Sequence, residues 1–255
     1  MKIATYNVNG LRAALKKGIL EWIVEEQPDI LLLQETKIQE GQVDVSQFEA
    51  LGYHTYWSYA EKKGYSGVAT LTKRKPIAIQ HQMGMDIYDR EGRVLLTDFG
   101  DFAVVNVYIP SGSSGEERHA FKMQFLFDFE HYLDEKLKEH PSLIVGGDYN
   151  IVHTRLDIHN PDRKDNPSGY RPEERAWLDA ICKSRFVDAY RYIHPDTVSF
   201  SWWTYRAGAR AKNKGWRIDY LCVTPDLSSK IISARHANEA MQSDHCPVVV
   251  EFDGL

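Results

Sequence analysis

Short runs of apolar and β-branched residues alternate with turn-forming clusters along the chain. That pattern predicts strands at Ile3–Val8, Asp29–Leu33, Tyr53–Trp57, Gly67–Leu71, Val94–Phe99, Phe102–Ile109, Leu143–Val145, Ile218–Val223 and Val248–Phe252. Two longer stretches carry apolar positions at the helical period. Over Leu11–Glu26, the residues Leu11, Leu15, Ile19, Trp22 and Ile23 share one face, and over Gly115–Glu139 the residues Phe121, Phe125, Phe129, Tyr132, Leu133 and Leu137 do the same. Ser113 and Glu116 have the spacing of a capping box in front of the second helix, and Pro172–Lys183, with proline in its first turn, reads as a third. Strands outnumber helices and follow no strict strand-helix-strand rhythm. The pattern therefore predicts an α/β chain of mixed sheets packed face to face with helices outside. No repeat, low-complexity tract or linker divides it, so residues 1–255 are expected to form one domain. The one long irregular stretch, Asp157–Arg171, is expected to be functional, because compact domains rarely keep idle loops of that length.

Composition narrows the class. With 43% hydrophobic and 26% charged residues the chain is an ordinary globular sequence, which excludes disorder, collagen and coiled coil. Its 31 Lys and Arg against 36 Asp and Glu give a net charge of −5, which argues against a protein that coats nucleic acid or membrane non-specifically. Cys182, Cys222 and Cys246 form no C-x-x-C pair, so neither a disulfide framework nor a structural zinc site is expected. Asn7 and Asn9 interrupt any signal-peptide core, and no run approaches the roughly 18 apolar residues of a membrane span. An intracellular protein without a membrane partner is the expectation.

Polar side chains stand at or just past the end of strand after strand: Asn7, Glu35, Tyr108, Asp148, Asn150, Asp219, Asp244 and His245. Each alone reads equally as a cap or turn residue. Together, strand ends that meet on one rim build a site on a rigid scaffold. Glu35, Asp148, Asn150 and Asp244 are oxygen donors without a Cys or paired His among them, a set suited to a hard cation such as Mg²⁺. Such an ion takes a phosphate ester as its natural companion, and a carboxylate, a cation and a protonated histidine together can hydrolyse one.

Six segments carry a resemblance. Thr5-Tyr6-Asn7-Val8-Asn9-Gly10-Leu11-Arg12, Leu33-Gln34-Glu35-Thr36-Lys37, Asn106-Val107-Tyr108-Ile109-Pro110, Gly146-Gly147-Asp148-Tyr149-Asn150, Gly215-Trp216-Arg217-Ile218-Asp219-Tyr220 and Ser243-Asp244-His245-Cys246-Pro247 occur in this order. In order and spacing the chain resembles the exonuclease III-type apurinic/apyrimidinic endonucleases of the endonuclease/exonuclease/phosphatase superfamily. The resemblance implies a DNase I-like, four-layered α/β sandwich, and a Mg²⁺-dependent hydrolase, with Mn²⁺ as a possible substitute, that cuts double-stranded DNA 5′ to abasic sites or trims blocked 3′ ends. It implies Glu35 as principal metal ligand supported by Asp244, with Asn7, Asp148, Asn150 and His245 around the ion. Asp148 would orient or deprotonate the attacking water, Asn7 and Asn150 would hold that carboxylate and the phosphate, Tyr108 would contact the phosphate, and Asp219 would fix the charge of His245. Some relatives carry Asp where this chain has Asn9, so no metal contact is assigned there.

Between Trp202 and Ile218 there is no acidic residue, while Arg206, Arg210, Lys212, Lys214 and Arg217 alternate with Trp202, Trp203, Tyr205 and Trp216. Such a run reads either as a solvated basic loop or as a DNA-binding surface. By resemblance, Trp202 and Trp216 would wall a pocket for a flipped-out abasic deoxyribose and Arg206 would enter the gap in the duplex. Ser111–Arg118, the Asp157–Arg171 loop, Arg12, Lys37 and Arg155 are further candidate contacts. A monomer is expected, since nothing calls for an obligate partner. The competing readings are a 3′→5′ exonuclease, an RNA deadenylase or an inositol or sphingomyelin phosphatase on the same scaffold, and a nucleic-acid-binding regulator that has lost the chemistry.

Overall fold

The computed structural model describes residues 1–165 and 167–255, so residue 166 of the Asp157–Arg171 loop lies outside the described residues. The strands are β1 (Lys2–Asn7), β2 (Ile30–Gln34), β3 (His54–Ser58), β4 (Val68–Thr72), β5 (Ala78–Gln80), β6 (Val94–Asp98), β7 (Ala103–Tyr108), β8 (Leu143–Asp148), β9 (Val187–Asp188), β10 (Asp219–Val223), β11 (Ile231–His236) and β12 (Val248–Phe252). They form two 6-stranded sheets, ordered β11-β12-β1-β2-β4-β3 and β5-β6-β7-β8-β10-β9. The parallel pairs are β1 with β2 and β7 with β8, at the middle of each sheet. These strands are covered on both faces, which is why they read as continuous apolar runs.

Ile3, Leu32 and Val250 of the first sheet meet Val104, Ile144 and Leu221 of the second in a shared core. On the outer faces, Trp22 and Ile23 of the helix Ile19–Glu26 pack on the first sheet. Phe125, Phe129 and Leu133 of the helix Glu116–Glu139, with Trp177 and Leu178 of the helix Pro172–Ser184, cover the second. The layers run helix, sheet, sheet, helix. The expected sandwich is present.

One polar tie crosses the sheet interface just beneath the rim. Asn106 Nδ2 donates to the carbonyls of Ala69 (2.8 Å) and Leu33 (3.2 Å), and its Oδ1 accepts from Gln34 Nε2 (2.7 Å). Every polar atom of the Asn106 side chain is thereby satisfied although the residue is buried. This tie fixes β2 against β7 one pleat below Glu35 and Tyr108.

Three expectations are corrected. The helix expected over Leu11–Glu26 is two, Leu11–Lys16 and Ile19–Glu26, because Gly18 at φ 84 turns the chain left-handed between them. Ser113 does not cap the long helix; that helix starts at Glu116 behind Gly115, and Ser113 Oγ instead pairs with Ser111 Oγ at 2.9 Å. Strands β5, β9 and β11 were not foreseen. The first two span 3 and 2 residues, and a bulge between Ile231 and Ser233 breaks the alternation of the third.

Candidate functional site

Register brings the site together. Asn7 pairs with Gln34 at the ends of β1 and β2, Tyr108 with Asp148 at the ends of β7 and β8, and Asp148 with Asp219 at the start of β10. Both sheets therefore deliver their strand ends to one rim. Gly147 is required immediately before Asp148, since a Cβ there would come within 1.8 Å of the Val107 carbonyl. Glu35 (φ 48), Lys37 (φ 53), Asn9 (φ 45) and Asn150 (φ 51) all have left-handed backbone, a concentration of strain typical of functional sites.

Asn7 is the hub of the rim. Its Nδ2 donates to Glu35 Oε1 (2.9 Å) and Asp148 Oδ2 (2.8 Å), and its Oδ1 accepts from the Asn9 backbone N–H (2.9 Å). With its amide nitrogen facing both carboxylates and its Oδ1 accepting one hydrogen bond, Asn7 holds the two acidic groups in a fixed relation to each other. Asn150 behaves similarly, donating its Nδ2 to the Ile109 carbonyl at 3.0 Å and its backbone N–H to Asp148 Oδ1 at 2.8 Å.

A buried charge relay stands beside it. His245 Nδ1 and Asp219 Oδ2 are 2.9 Å apart, and Ser201 Oγ donates to the same oxygen at 2.6 Å. Burial disfavours the imidazolium, yet Asp219, helped by Asp148 and Asp244, outweighs it and pushes the His245 pKa up to about 10. His245 is therefore a cation at neutral pH, with its second ring nitrogen carrying a proton to donate. Burial, then the charges of Asp219 and Glu35, push the Asp148 pKa up to about 8. Glu35 is the opposite case: Lys37, paired with it at 2.8 Å, and the Asn7 amide outweigh burial and hold its carboxyl below the usual range. Tyr108 has its hydroxyl against Glu35, and burial keeps it protonated.

One atom each of Glu35, Asp148 and His245 lies within 4.8 Å of the others. Asp219 is buried beside them, and among the described residues its Oδ1 has no hydrogen-bond partner. The carboxylate oxygens of Glu35 and Asp148 are the donor type that suits a hard divalent cation. Asp244 stands further out: its Oδ1 accepts from Asn9 Nδ2 (2.9 Å) and its Oδ2 from Trp202 Nε1 (3.1 Å).

Above these groups opens a cleft of about 550 Å³ whose walls include Trp202, Trp216, Ile218, Ser111, Ser168 and Arg171. The two indoles meet edge-on, 5.7 Å apart at 71°. Ser111, Trp202 and Trp216 thus line one cleft. Arg12 lines a separate neighbouring groove, and exposed Arg206 lies on the turn beyond Trp202. Lys37 is spent on Glu35 and on Asn9 Oδ1 (2.5 Å), and Arg155 on Asp162 (2.7 Å).

The basic run is only partly a surface. Arg210 donates to the carbonyls of Ser243, Asn238 and Ala240, clamping the loop that carries Asp244. Arg217 is fully buried, with Asp157 at 2.7 Å and Asp188 at 2.7 Å, so it cannot meet DNA as the charge count implied. Burial opposes ionisation of Asp157, but Arg217 and Arg191 hold its carboxyl far below the usual range. Arg217→Met is expected to lower unfolding free energy by about 3–5 kcal/mol, read as a urea midpoint shift, because it strands buried carboxylates. The carboxylate of Asp157, its pKa depressed on folding, stabilises above about pH 4 and loses that contribution as pH falls. A midpoint unchanged at pH 7 would remove this network from the account.

One contributor escaped the sequence reading: Ser201, which orients Asp219, whereas Lys37, named there as a candidate contact, pairs with Glu35. A serine beside a tryptophan pair carries no signal of its own.

The Endonuclease/Exonuclease/phosphatase family pattern matches residues 4–245. The chain is 42% identical over 250 residues to the exodeoxyribonuclease of Bacillus subtilis (strain 168), covering 97% of this chain and 98% of that one. A solved AP endonuclease from Archaeoglobus fulgidus superposes with a TM-score of 0.90 at 31% identity, covering 99% of each chain. The 3′ phosphatase NExo from Neisseria, solved with a product DNA hairpin, gives a TM-score of 0.93 at 28% identity, again over 99% of each chain. The matched region begins in β1 and ends on His245, so it takes in the whole second sheet, the first sheet short of β12 and every strand end that builds the rim, and the chain belongs to the endonuclease/exonuclease/phosphatase family.

Proposed function

We propose that this chain is a DNA-repair phosphodiesterase that cuts double-stranded DNA 5′ to abasic sites, leaving a 3′-hydroxyl and a 5′-deoxyribose phosphate. Removal of 3′-blocking phosphates is its second activity. The observation that carries the reading is the buried Asp219–His245 relay and the Asn7-bridged carboxylates lying at the floor of a cleft walled by two tryptophans. The names of the relatives point the same way. A pure binder would need none of this buried charge, which costs folding energy unless used.

An abasic deoxyribose has no base to unstack, so it leaves the duplex at low cost and enters the cleft against the rings of Trp202 and Trp216. His245 donates from its second ring nitrogen to a non-bridging phosphate oxygen, and the Tyr108 hydroxyl donates to another. Asp148, held by Asn7 and Asn150, takes a proton from the attacking water as its oxygen bonds to phosphorus. The bond from phosphorus to the 3′ oxygen breaks in line, and that oxygen takes a proton from solvent. Glu35 and Asp148, with Asp244 behind them, would hold Mg²⁺ or Mn²⁺, which supplies further neutralisation of the phosphate charge. Because one chain carries the whole set, we propose a monomeric, one-domain enzyme acting inside the cell; among the described residues no helix is long and apolar enough to cross a membrane.

Duplexes with a tetrahydrofuran site, a 3′-phosphate or an undamaged blunt end test this reading. Abasic incision is expected to be the fastest by at least about 10-fold, and EDTA is expected to lower it by about 10³-fold or more. Incision that persists in EDTA, or faster loss of undamaged ends, would contradict it.

A further inference from the structure

Lys122, on the helix Glu116–Glu139, and Glu174, in the first turn of Pro172–Ser184, form an ion pair with no exposed side-chain surface. Lys122 Nζ donates to Glu174 Oε1 at 2.7 Å and to the Asn150 carbonyl at 2.7 Å. Glu174 in turn accepts from the backbone N–H groups of Gly169 (2.7 Å) and Arg171 (2.9 Å) and from Ser168 Oγ (3.3 Å). Ser168 Oγ also accepts from the Gly112 N–H at 3.1 Å. One buried pair thus joins two helices, the strained loop beside Asp148 and the cleft wall opposite the catalytic floor.

The wall has no slack. A Cβ on Gly169 would come within 3.0 Å of both the Trp216 ring and the Asn150 carbonyl, so the chain at Gly169 lies close against the indole. A buried ion pair adds little net stability, since desolvation offsets the attraction, and an apolar pair would hold two helices together as well. An apolar pair could not donate to Asn150 while gathering three donors from the wall. The arrangement is suited to placement rather than to stability.

We propose that the Lys122–Glu174 pair positions the Ser168–Arg171 wall against Trp216 and thereby sets discrimination in favour of an abasic deoxyribose. It touches no substrate and acts through the wall. The proposal rests on the nuclease reading above. Removing a 3′-phosphate presents a phosphoryl group to Glu35, Asp148 and His245 without seating a deoxyribose between the walls. That reaction should therefore depend on the pair far less.

Glu174→Gln, which leaves the Lys122 Nζ–Asn150 carbonyl bond in place, is expected to lower kcat/KM for tetrahydrofuran incision about 100-fold, the cost of an ångström-scale misplacement, while 3′-phosphate removal falls less than about 5-fold. Glu174→Leu carries the same expectation should Glu174→Gln fold poorly. Equal losses on both substrates would mean that the pair merely supports folding, and would overturn the proposal. A second readout needs no DNA: acrylamide quenching of Trp216, taken as the difference between each protein and its Trp216→Phe counterpart. Quenching should rise about two-fold when the pair is broken, because the wall no longer covers the indole. Unchanged quenching would overturn the proposal whether or not any DNA is cut, whereas a parent protein that cuts neither substrate would sink the nuclease reading alone.

Discussion

Asp148→Asn is expected to lower kcat/KM on a duplex with one tetrahydrofuran site by about 10³–10⁴-fold, while Kd for that duplex in EDTA changes less than about 3-fold. The carboxylate is buried and fixed by the Asn7 amide and the Asn150 backbone N–H, so it has one geometry from which to meet a water. An asparagine keeps the size of the side chain but cannot take a proton. DNA would still be held, because the tryptophan walls and the surface arginines are untouched. Single-turnover rates alongside fluorescence anisotropy would check both halves; a variant within about 10-fold of the parent would remove Asp148 from its role.

Asp219→Asn should change the pH dependence as well as the rate. In the parent, Asp219 is first among the charges that raise the His245 pKa to about 10, so the imidazolium persists across the neutral range. Without that carboxylate less negative charge is left to offset burial, and the His245 pKa falls. The proton donor is then present at acid pH and lost as pH rises. Asp219 also heads the charges that raise Asp148, so its removal lets Asp148 ionise at lower pH, which again favours the variant on the acid side. The ratio of parent to variant kcat/KM is expected to be about 10 at pH 6 and to grow about 10-fold per pH unit above pH 7. Parallel pH–rate profiles would show that Asp219 does not hold the proton on His245.

Much of the site was legible because strand ends are legible. A run such as Leu143–Val145 followed by Gly146-Gly147-Asp148 announces both the strand and the polar group at its tip, and parallel strands necessarily end on the same side. The mixed sheets followed from strands without regular helical crossovers. Less legible was whatever depends on where a side chain finishes in three dimensions. Arg217 counts as a surface charge in any tally, yet Asp157 and Asp188, 60 and 29 residues away, pull it wholly inside. Asn7 reads as an oxygen donor, and only the fold shows its amide nitrogen bridging Glu35 and Asp148. Lys122 lies on a helix among phenylalanines, and nothing in its neighbours predicts a partner 52 residues away. Left-handed backbone at Glu35 and Asn150 is likewise invisible in residue types that tolerate many turns.

The most direct test of the central claim, that the groups on this rim hydrolyse the backbone beside an abasic deoxyribose, is the chemistry of the cut ends. A 5′-labelled duplex with one tetrahydrofuran residue, incubated with Mg²⁺, should yield a single labelled fragment ending one nucleotide before the lesion, with a 3′-hydroxyl that a polymerase extends. An intact strand, or a fragment whose 3′ end carries a phosphate or sugar remnant and resists extension, would contradict the account.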